Sequence, residues 1–372
     1  MAGLYIHIPF CRSRCVYCAF YSTTGMEQRQ RYVDAVCREM DMRLLPHPAA
    51  DDIETVYLGG GTPSQLTAGQ LRQLFDHLAT RTAASVPQEV TIEVNPDDVT
   101  AELAELLAEL PVNRVSMGAQ TFDDNRLRFL RRRHNAAQVA QAVGRLRRAG
   151  IGNISVDVMY GFPGESLDDW MRDVEAAIAL DVEHLSAYCL TVEEGTALHG
   201  LVQARKVTLP DEELERQMYY NLIERLTTAG YEHYEISNFA RRGFRSRHNS
   251  SYWSDTTYIG LGAAAHSYDG ATRRWNAADI RQYMDAIEQG RQPCEVETID
   301  DDTHYNDRIT TALRTSDGLD LGTLSERHRR YCLKESRRLL DDGLLRQDGQ
   351  RLILTRKGLF VSDYVMASLI FV

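Results

Sequence analysis

Three cysteines, Cys11, Cys15 and Cys18, stand at C-x3-C-x2-C spacing directly after a short apolar run. A loop of that spacing can turn three thiolates towards one centre, and cysteine thiolates are the usual ligands of iron–sulfur clusters. Three ligands leave one iron of a four-iron cubane open to an exogenous ligand. Zinc is the competing occupant, but structural zinc sites close with a fourth Cys or His. The one nearby candidate, His7, falls inside the apolar run. Cys37, Cys294 and Cys332 show no partner spacing and read as ordinary thiols, and Cys189 reads as structural, though on the site side if a barrel forms.

Further segments have the residue types of a ligand pocket. Gly59-Gly-Gly-Thr-Pro63 can bring main-chain amides close to a ligand, although a tight turn has the same composition. Glu93, in Glu93-Val-Asn-Pro96, is a carboxylate of the kind that accepts hydrogen bonds from ribose hydroxyls in nucleotide folds. Alone, it reads equally as a solvated charge. Arg131, Arg132 and Arg133 offer guanidinium forks to a carboxylate, or form a solvated basic face.

These residues need a scaffold, and the chain supplies one. Short apolar runs at 4–8, 55–58, 90–93, 114–117, 154–159 and 184–188 alternate with amphipathic stretches at 27–45, 68–80, 101–109, 136–149 and 167–179. Strands alternating with helices predict a parallel sheet built by βαβ crossovers. The fold expected is α/β, a partial (β/α)6 barrel, with an open doubly wound sheet as the alternative. Each motif falls where a strand ends, the edge at which parallel α/β folds keep their sites. A further helix is expected at 211–229, and helices at 306–313, 321–331 and 333–342 precede a hairpin around Asp348-Gly349. The organisation expected is a core barrel at 1–230, an extension completing the site at 231–299, and a small helical or winged-helix-like domain at 300–372.

Composition narrows the function. The 372 residues have a formal net charge of −11 and are 43% hydrophobic, as in an ordinary globular chain. The acidic balance argues against nucleic acid as partner, while the basic stretch 126–133 can make a local anion site. No apolar run reaches the roughly 20 residues of a membrane span, and residues 1–11 lack the pattern of a secretory signal. Seven cysteines, three of them clustered, fit a reducing, cytoplasmic setting.

The segment from Tyr5-Ile-His-Ile-Pro-Phe-Cys11 to Cys18 resembles the signature of radical S-adenosylmethionine (SAM) proteins related to oxygen-independent coproporphyrinogen III oxidase. That resemblance implies a 4Fe-4S cluster on Cys11, Cys15 and Cys18, whose open iron takes the amino and carboxylate groups of SAM. It also implies that the cluster's electron cleaves SAM to a 5′-deoxyadenosyl radical. By the same resemblance Gly60, Gly61 and Thr62 contact the SAM amino group, Glu93 the ribose, and Gln120, Arg132 and Asp157 further parts of SAM, with Arg132 on its carboxylate. Tyr5 and Tyr17 pack near the cluster or adenine, or serve as buried aromatic core. The small residues of 258–266 permit close backbone approach to a ligand on the far side of the SAM pocket, although a packed turn has the same composition.

Within this family the oxidases have a further cysteine two residues after the third ligand and a long segment before the motif. Here Phe20 holds that position, and Cys11 comes almost at once. His248-Asn-Ser-Ser-Tyr-Trp253 matches the H-N-x-x-Y-W motif of the family's heme chaperones (HemW type). The resemblance therefore implies a heme chaperone that passes heme to acceptor hemoproteins, membrane-associated ones among them, with His248 as heme ligand and Tyr252 and Trp253 against the porphyrin. No catalytic residue and no electron donor follow from the sequence. Two enzymes are the alternatives: a coproporphyrinogen III oxidase, and another radical SAM methyl or cyclopropane transferase.

Overall fold

Along six strands apolar and polar side chains alternate, and that alternation shapes the molecule. The strands are β1 (Ala2–Ile8), β2 (Ile53–Gly60), β3 (Glu89–Val94), β4 (Arg114–Gln120), β5 (Ile154–Tyr160) and β6 (His184–Cys189). The computed structural model describes residues 2–44, 52–82 and 87–372. One set of side chains, including Leu4, Ile6, Val56, Leu58, Val115, Ile154 and Leu185, is buried in a single apolar core together with the crossover helices. The alternate set reads Tyr5, His7, Thr55, Tyr57, Thr91, Glu93, Arg114, Ser116, Ser155, Asp157, His184 and Ser186. A parallel sheet covered by helices on both faces has continuous apolar strands. Here one face is polar because it bounds a cavity rather than a second helix layer.

The six strands pair in parallel in chain order, with Tyr5 opposite Tyr57, Thr91 opposite Arg114, and Gly118 opposite Asp157. Residues at or beyond the ends of all six line one cavity, from Cys11 after β1 to Thr191 after β6. The array is therefore a partial barrel, as expected, and not an open doubly wound sheet. Capping boxes at Thr67/Gln70, Asn135/Gln138 and Ser166/Asp169 start three of the crossover helices just beyond the loops that line the cavity. The first helix runs Arg29–Leu44; position 45, where it was expected to end, lies outside the described residues.

The sheet continues past both barrel edges. β8 (Asn238–Ala240) adds antiparallel to β6, and β7 (Glu232–Glu235) adds antiparallel to β8. The chain then crosses to the other edge through a helix, Arg247–Tyr252. There β9 (Tyr258–Leu261) pairs in parallel with β1, and β10 (His266–Tyr268), β11 (Thr272–Asn276) and β12 (Cys294–Thr298) follow antiparallel. This placement corrects the expectation for 258–266, which does not line the cavity. Its small residues serve close packing. A Cβ on Gly260 would lie 1.9 Å from the His266 carbonyl oxygen, and one on Gly262 would lie 2.4 Å from the Tyr32 hydroxyl.

The C-terminal unit has its own core around Tyr305, Ile309, Leu319, Cys332 and Leu352. Its three-stranded sheet has the order β13 (Leu319–Asp320), β15 (Arg351–Leu354), β14 (Leu345–Asp348), and helices Asp301–Ala312, Glu326–Asp341 and Ser362–Leu369 pack beside it. The helices expected at 321–331 and 333–342 are one continuous helix. Ser325 caps its start by accepting from the His328 N–H, and nothing in the sequence around the buried Cys332 breaks it. Among the described residues no helix is long and apolar enough to cross a membrane.

Candidate functional site

The cavity, about 480 Å³, opens at the carboxyl ends of β1–β6, and the cysteine loop forms one wall. That loop is pinned at both ends and in its middle. The Cys11 N–H donates to the Thr23 carbonyl at 2.9 Å and the Thr23 N–H to the Pro9 carbonyl at 2.7 Å, closing the base. Midway, the Val16 N–H reaches the Leu130 carbonyl at 3.3 Å and the Leu198 N–H donates to the Val16 carbonyl at 2.8 Å. The Val16 side chain is buried in a small apolar cluster with Leu130, Met159, Phe162 and Leu190. Burying Val16 between cysteines leaves Cys11, Cys15 and Cys18 half-exposed along the cavity wall.

Among the described residues, no three Cys, His, Asp or Glu side chains come together closely enough to hold a single metal ion. Zinc–sulfur bonds near 2.3 Å would draw the sulfurs to about 3.8 Å from one another. Three thiols on one cavity wall are the donor set that an iron–sulfur cluster takes. Polar contacts support them: Cys11 Sγ lies 3.4 Å from Thr62 Oγ1, and Arg132 Nη1 lies 3.7 Å from Cys15 Sγ. Burial pushes the Cys11 and Cys18 thiols up, with the Thr62 hydrogen bond opposing the shift at Cys11.

The three neighbouring arginines separate by geometry. Arg133 makes ion pairs of 2.8 Å with both Asp97 and Asp98. Arg131 is exposed, with a left-handed φ of 61°. Arg132 turns inward, donating to Asn95 Oδ1 at 2.6 Å and to the Gly118 carbonyl, so its fork is fixed beside Cys15. Asn95, which the sequence reading missed, also donates to Thr62 Oγ1 at 3.3 Å. Its position two residues after Glu93 was the signal, since alternation puts both on one face.

Glu93 accepts from the Tyr57 hydroxyl at 2.8 Å and from the Gly60 N–H at 3.0 Å. Burial pushes its carboxyl up to about 7; the Tyr57 hydrogen bond opposes this and the Asp157 charge reinforces it. The glycines are required by these neighbours. A Cβ on Gly59 would lie 2.9 Å from Glu93 Oε1, one on Gly60 2.4 Å from the His7 ring, and one on Gly61 2.6 Å from the Pro9 carbonyl carbon. Asp157 accepts from the Ser116 hydroxyl at 3.4 Å, and burial raises its carboxyl against the pull of Ser186 and Arg114. Gln120 follows a register shift in β4 and has a φ of 68°, a conformation uncommon outside glycine. Tyr17, Gly60, Gly61, Thr62, Glu93, Gln120, Arg132 and Asp157 all line the cavity with the three cysteines.

Tyr5 and His248 do not. Tyr5 sits beneath the cavity, its hydroxyl 3.0 Å from His7 Nδ1 and its ring 6.2 Å from that of Tyr57. His248 closes the barrel floor and is completely buried. Its Nδ1 lies 2.9 Å from Thr55 Oγ1, its Nε2 lies 2.9 Å from the Tyr252 hydroxyl, and its ring stacks on Tyr57. Burial pushes the imidazole down to about 3, with the Arg114 charge acting the same way. Neither ring nitrogen is free for a metal in this arrangement; it is the next residue, Asn249, that lines the cavity. One face of Trp253 is taken by the Arg314 guanidinium, 4.9 Å from its ring centroid.

Three cysteines and a polar pocket at the mouth of a partial parallel barrel define the radical SAM class. Residues 5–177 match the radical SAM superfamily and residues 299–361 the HemN C-terminal domain. The chain is 34% identical to heme chaperone HemW of Bacillus subtilis, over 99% of each chain. It is also 34% identical to heme chaperone HemW of Mycobacterium tuberculosis, over 99% of this chain and 94% of that one. The solved structure of coproporphyrinogen III oxidase (HemN) from Escherichia coli, a radical SAM enzyme, superposes with a TM-score of 0.85. It covers 99% of this chain and 90% of that one at 21% identity, a likeness of fold. The chain belongs to the HemW family of radical SAM proteins.

Proposed function

We propose that this protein is a heme chaperone that binds heme and passes it to acceptor hemoproteins, with a 4Fe-4S cluster and SAM in the barrel cavity. The observation that carries the reading is the match, end to end, to relatives named heme chaperones in two distant bacteria. Cys11, Cys15 and Cys18 would hold the cluster. Gly60, Gly61, Thr62, Glu93, Gln120, Arg132 and Asp157 would bind SAM, with Tyr17 packed beside them. When bound, the cluster supplies an electron and an open iron site for SAM. The chain's own part is positional: Asn95 and the Gly118 carbonyl aim Arg132, and Tyr57 with the Gly60 N–H holds Glu93. Seven unpaired thiols support a reducing, cytoplasmic location.

We assign to His248 the closing of the barrel floor. Ligation of heme iron would first have to break its bond to Thr55 or to Tyr252. The variant His248→Ala tests this: a retained heme band with lowered melting temperature supports the structural role, and loss of the band in a folded protein supports ligation. The function itself is tested by anaerobic cluster reconstitution followed by heme titration and a coproporphyrinogen assay on one sample. Tight heme binding without decarboxylation is expected; decarboxylation with consumption of SAM would overturn the chaperone reading.

A further inference from the structure

A soluble surface rarely leaves large apolar side chains exposed beside a concave opening without a use for them. Phe20 is 70% exposed and Tyr188 40% exposed, and both line the cavity. They come from its two sides, Phe20 from the cysteine loop after β1 and Tyr188 from the end of β6, the outermost strands of the six-stranded array. The other exposed large apolar residues among those described, Phe244, Val296, Tyr364 and Val372, lie away from it.

The same opening gathers unpaired cations. Arg12, Arg14 and Arg131 line the cavity and are exposed. None makes an ion pair among the described residues, and Arg12 only donates to Gln65 Oε1 at 2.7 Å. This is unusual for a chain with a net charge of −11, in which Arg133 next door is engaged by two aspartates. The carboxylates lining the cavity are Glu93, held by Tyr57 and the Gly60 N–H, Asp157 beside Ser116, Asp97, taken by Arg133, and the exposed Glu193. A ligand that is flat and apolar in its body and carries carboxylates at its edge complements this pattern: ring faces suit aromatic faces, and carboxylates suit guanidinium forks.

We propose that heme docks at the cavity opening, its ring against Phe20 and Tyr188 and its propionates on Arg12, Arg14 and Arg131, rather than at His248. The proposal rests on the heme-chaperone reading and adds where the heme sits. It also gives Phe20 a task at the position where oxidases of the family have a cysteine.

The test uses the full chain with its cluster reconstituted and SAM bound, titrated with heme and with heme dimethyl ester, which has the same ring without the charges. Wild type should prefer heme to the ester. Phe20→Ala should weaken both on the order of tenfold, since it removes an aromatic contact. The double variant R14Q/R131Q should weaken heme several-fold, leave the ester unchanged, and so erase the preference. Iron per chain and SAM affinity should stay at wild-type levels throughout. Wild-type heme affinity in both variants would overturn the proposal, as would a loss of heme matched by an equal loss of iron, which would assign these residues to the cluster. If wild type binds no heme at all, the chaperone reading itself falls.

Discussion

Glu93 is the cavity carboxylate whose proton is held most plainly by burial. Its carboxyl is held at about 7 where 4.5 is ordinary, with burial as the main cause. An unfolded chain releases this proton at lower pH than the folded one. Stability therefore falls as pH rises from about 4.5 to about 7, then levels off. Glu165, likewise pushed up to about 7 by burial, contributes in the same window. Glu93→Gln removes its own contribution, so its melting temperature should decline less than that of wild type between pH 5 and pH 7. The difference should be on the order of 1–2 kcal/mol once discounted for partial exposure, as thermal melts across that range would measure. A parallel decline in both proteins would refute the assignment. The role of Glu93 as a cavity residue was legible because a charge at a strand end is readable. Its partner Tyr57, and Asn95, which holds Arg132, were not singled out, because each looks like ordinary strand or turn composition until alternation sets it on the cavity face. His248 is the opposite case. A motif identified the position, but whether its ring nitrogens are free is decided by Thr55 and Tyr252, and sequence spacing contains no trace of the first of these contacts.

At the scale of elements, the cysteine loop depends on an anchor that contains no chemistry. Val16 is 4% exposed and ties the loop to Leu130 and Leu198 through backbone hydrogen bonds and apolar packing. Val16→Asp would place a charge there without a partner, at a cost of several kcal/mol confined to a peripheral cluster separate from the barrel core. All three cysteines would remain, yet iron and labile sulfide per chain after reconstitution should fall well below wild type, while the barrel's circular dichroism persists. Full cluster occupancy in Val16→Asp would show that the thiols need no such support. The strands themselves were legible as short apolar runs alternating with amphipathic stretches. Two elements were not. The helix Glu326–Asp341 reads as two, since a run of charges blurs its apolar stripe around Leu333. The segment 258–266 reads as a ligand loop, since small residues serve tight turns and ligand approach alike; only the strand pairing with β1 separates the two uses.

At the scale of the whole molecule, the C-terminal unit meets the rest through several contacts, among them Arg273–Asp307, His304–Asp255 and Phe360 against Tyr219, and one of them is a buried ion pair. Glu235 on β7 is 2% exposed, and Arg314, just past the helix Asp301–Ala312, reaches it with Nη2 at 2.9 Å and Nε at 3.1 Å. The same guanidinium lies over Trp253, and the backbone alongside is stitched by Ile236 N–H to the Arg314 carbonyl at 3.0 Å and Ser316 N–H to the Tyr234 carbonyl at 2.9 Å. One side chain thus couples the C-terminal unit to the strand that extends the barrel and to the helix that brings His248 to its floor. Arg314→Ala would leave a buried carboxylate without its cation, a change that costs about 3–5 kcal/mol for fully buried pairs and somewhat less here because Arg314 is partly exposed. Because the C-terminal unit has its own core, the loss should separate the two parts. Calorimetry should resolve a second, lower transition where wild type shows one. The double variant Arg314→Met with Glu235→Gln should recover most of the stability, since it removes the stranded charge rather than creating one. If Arg314→Ala lowers a single transition without splitting it, the ion pair is one contact among many, and the two units fold as one.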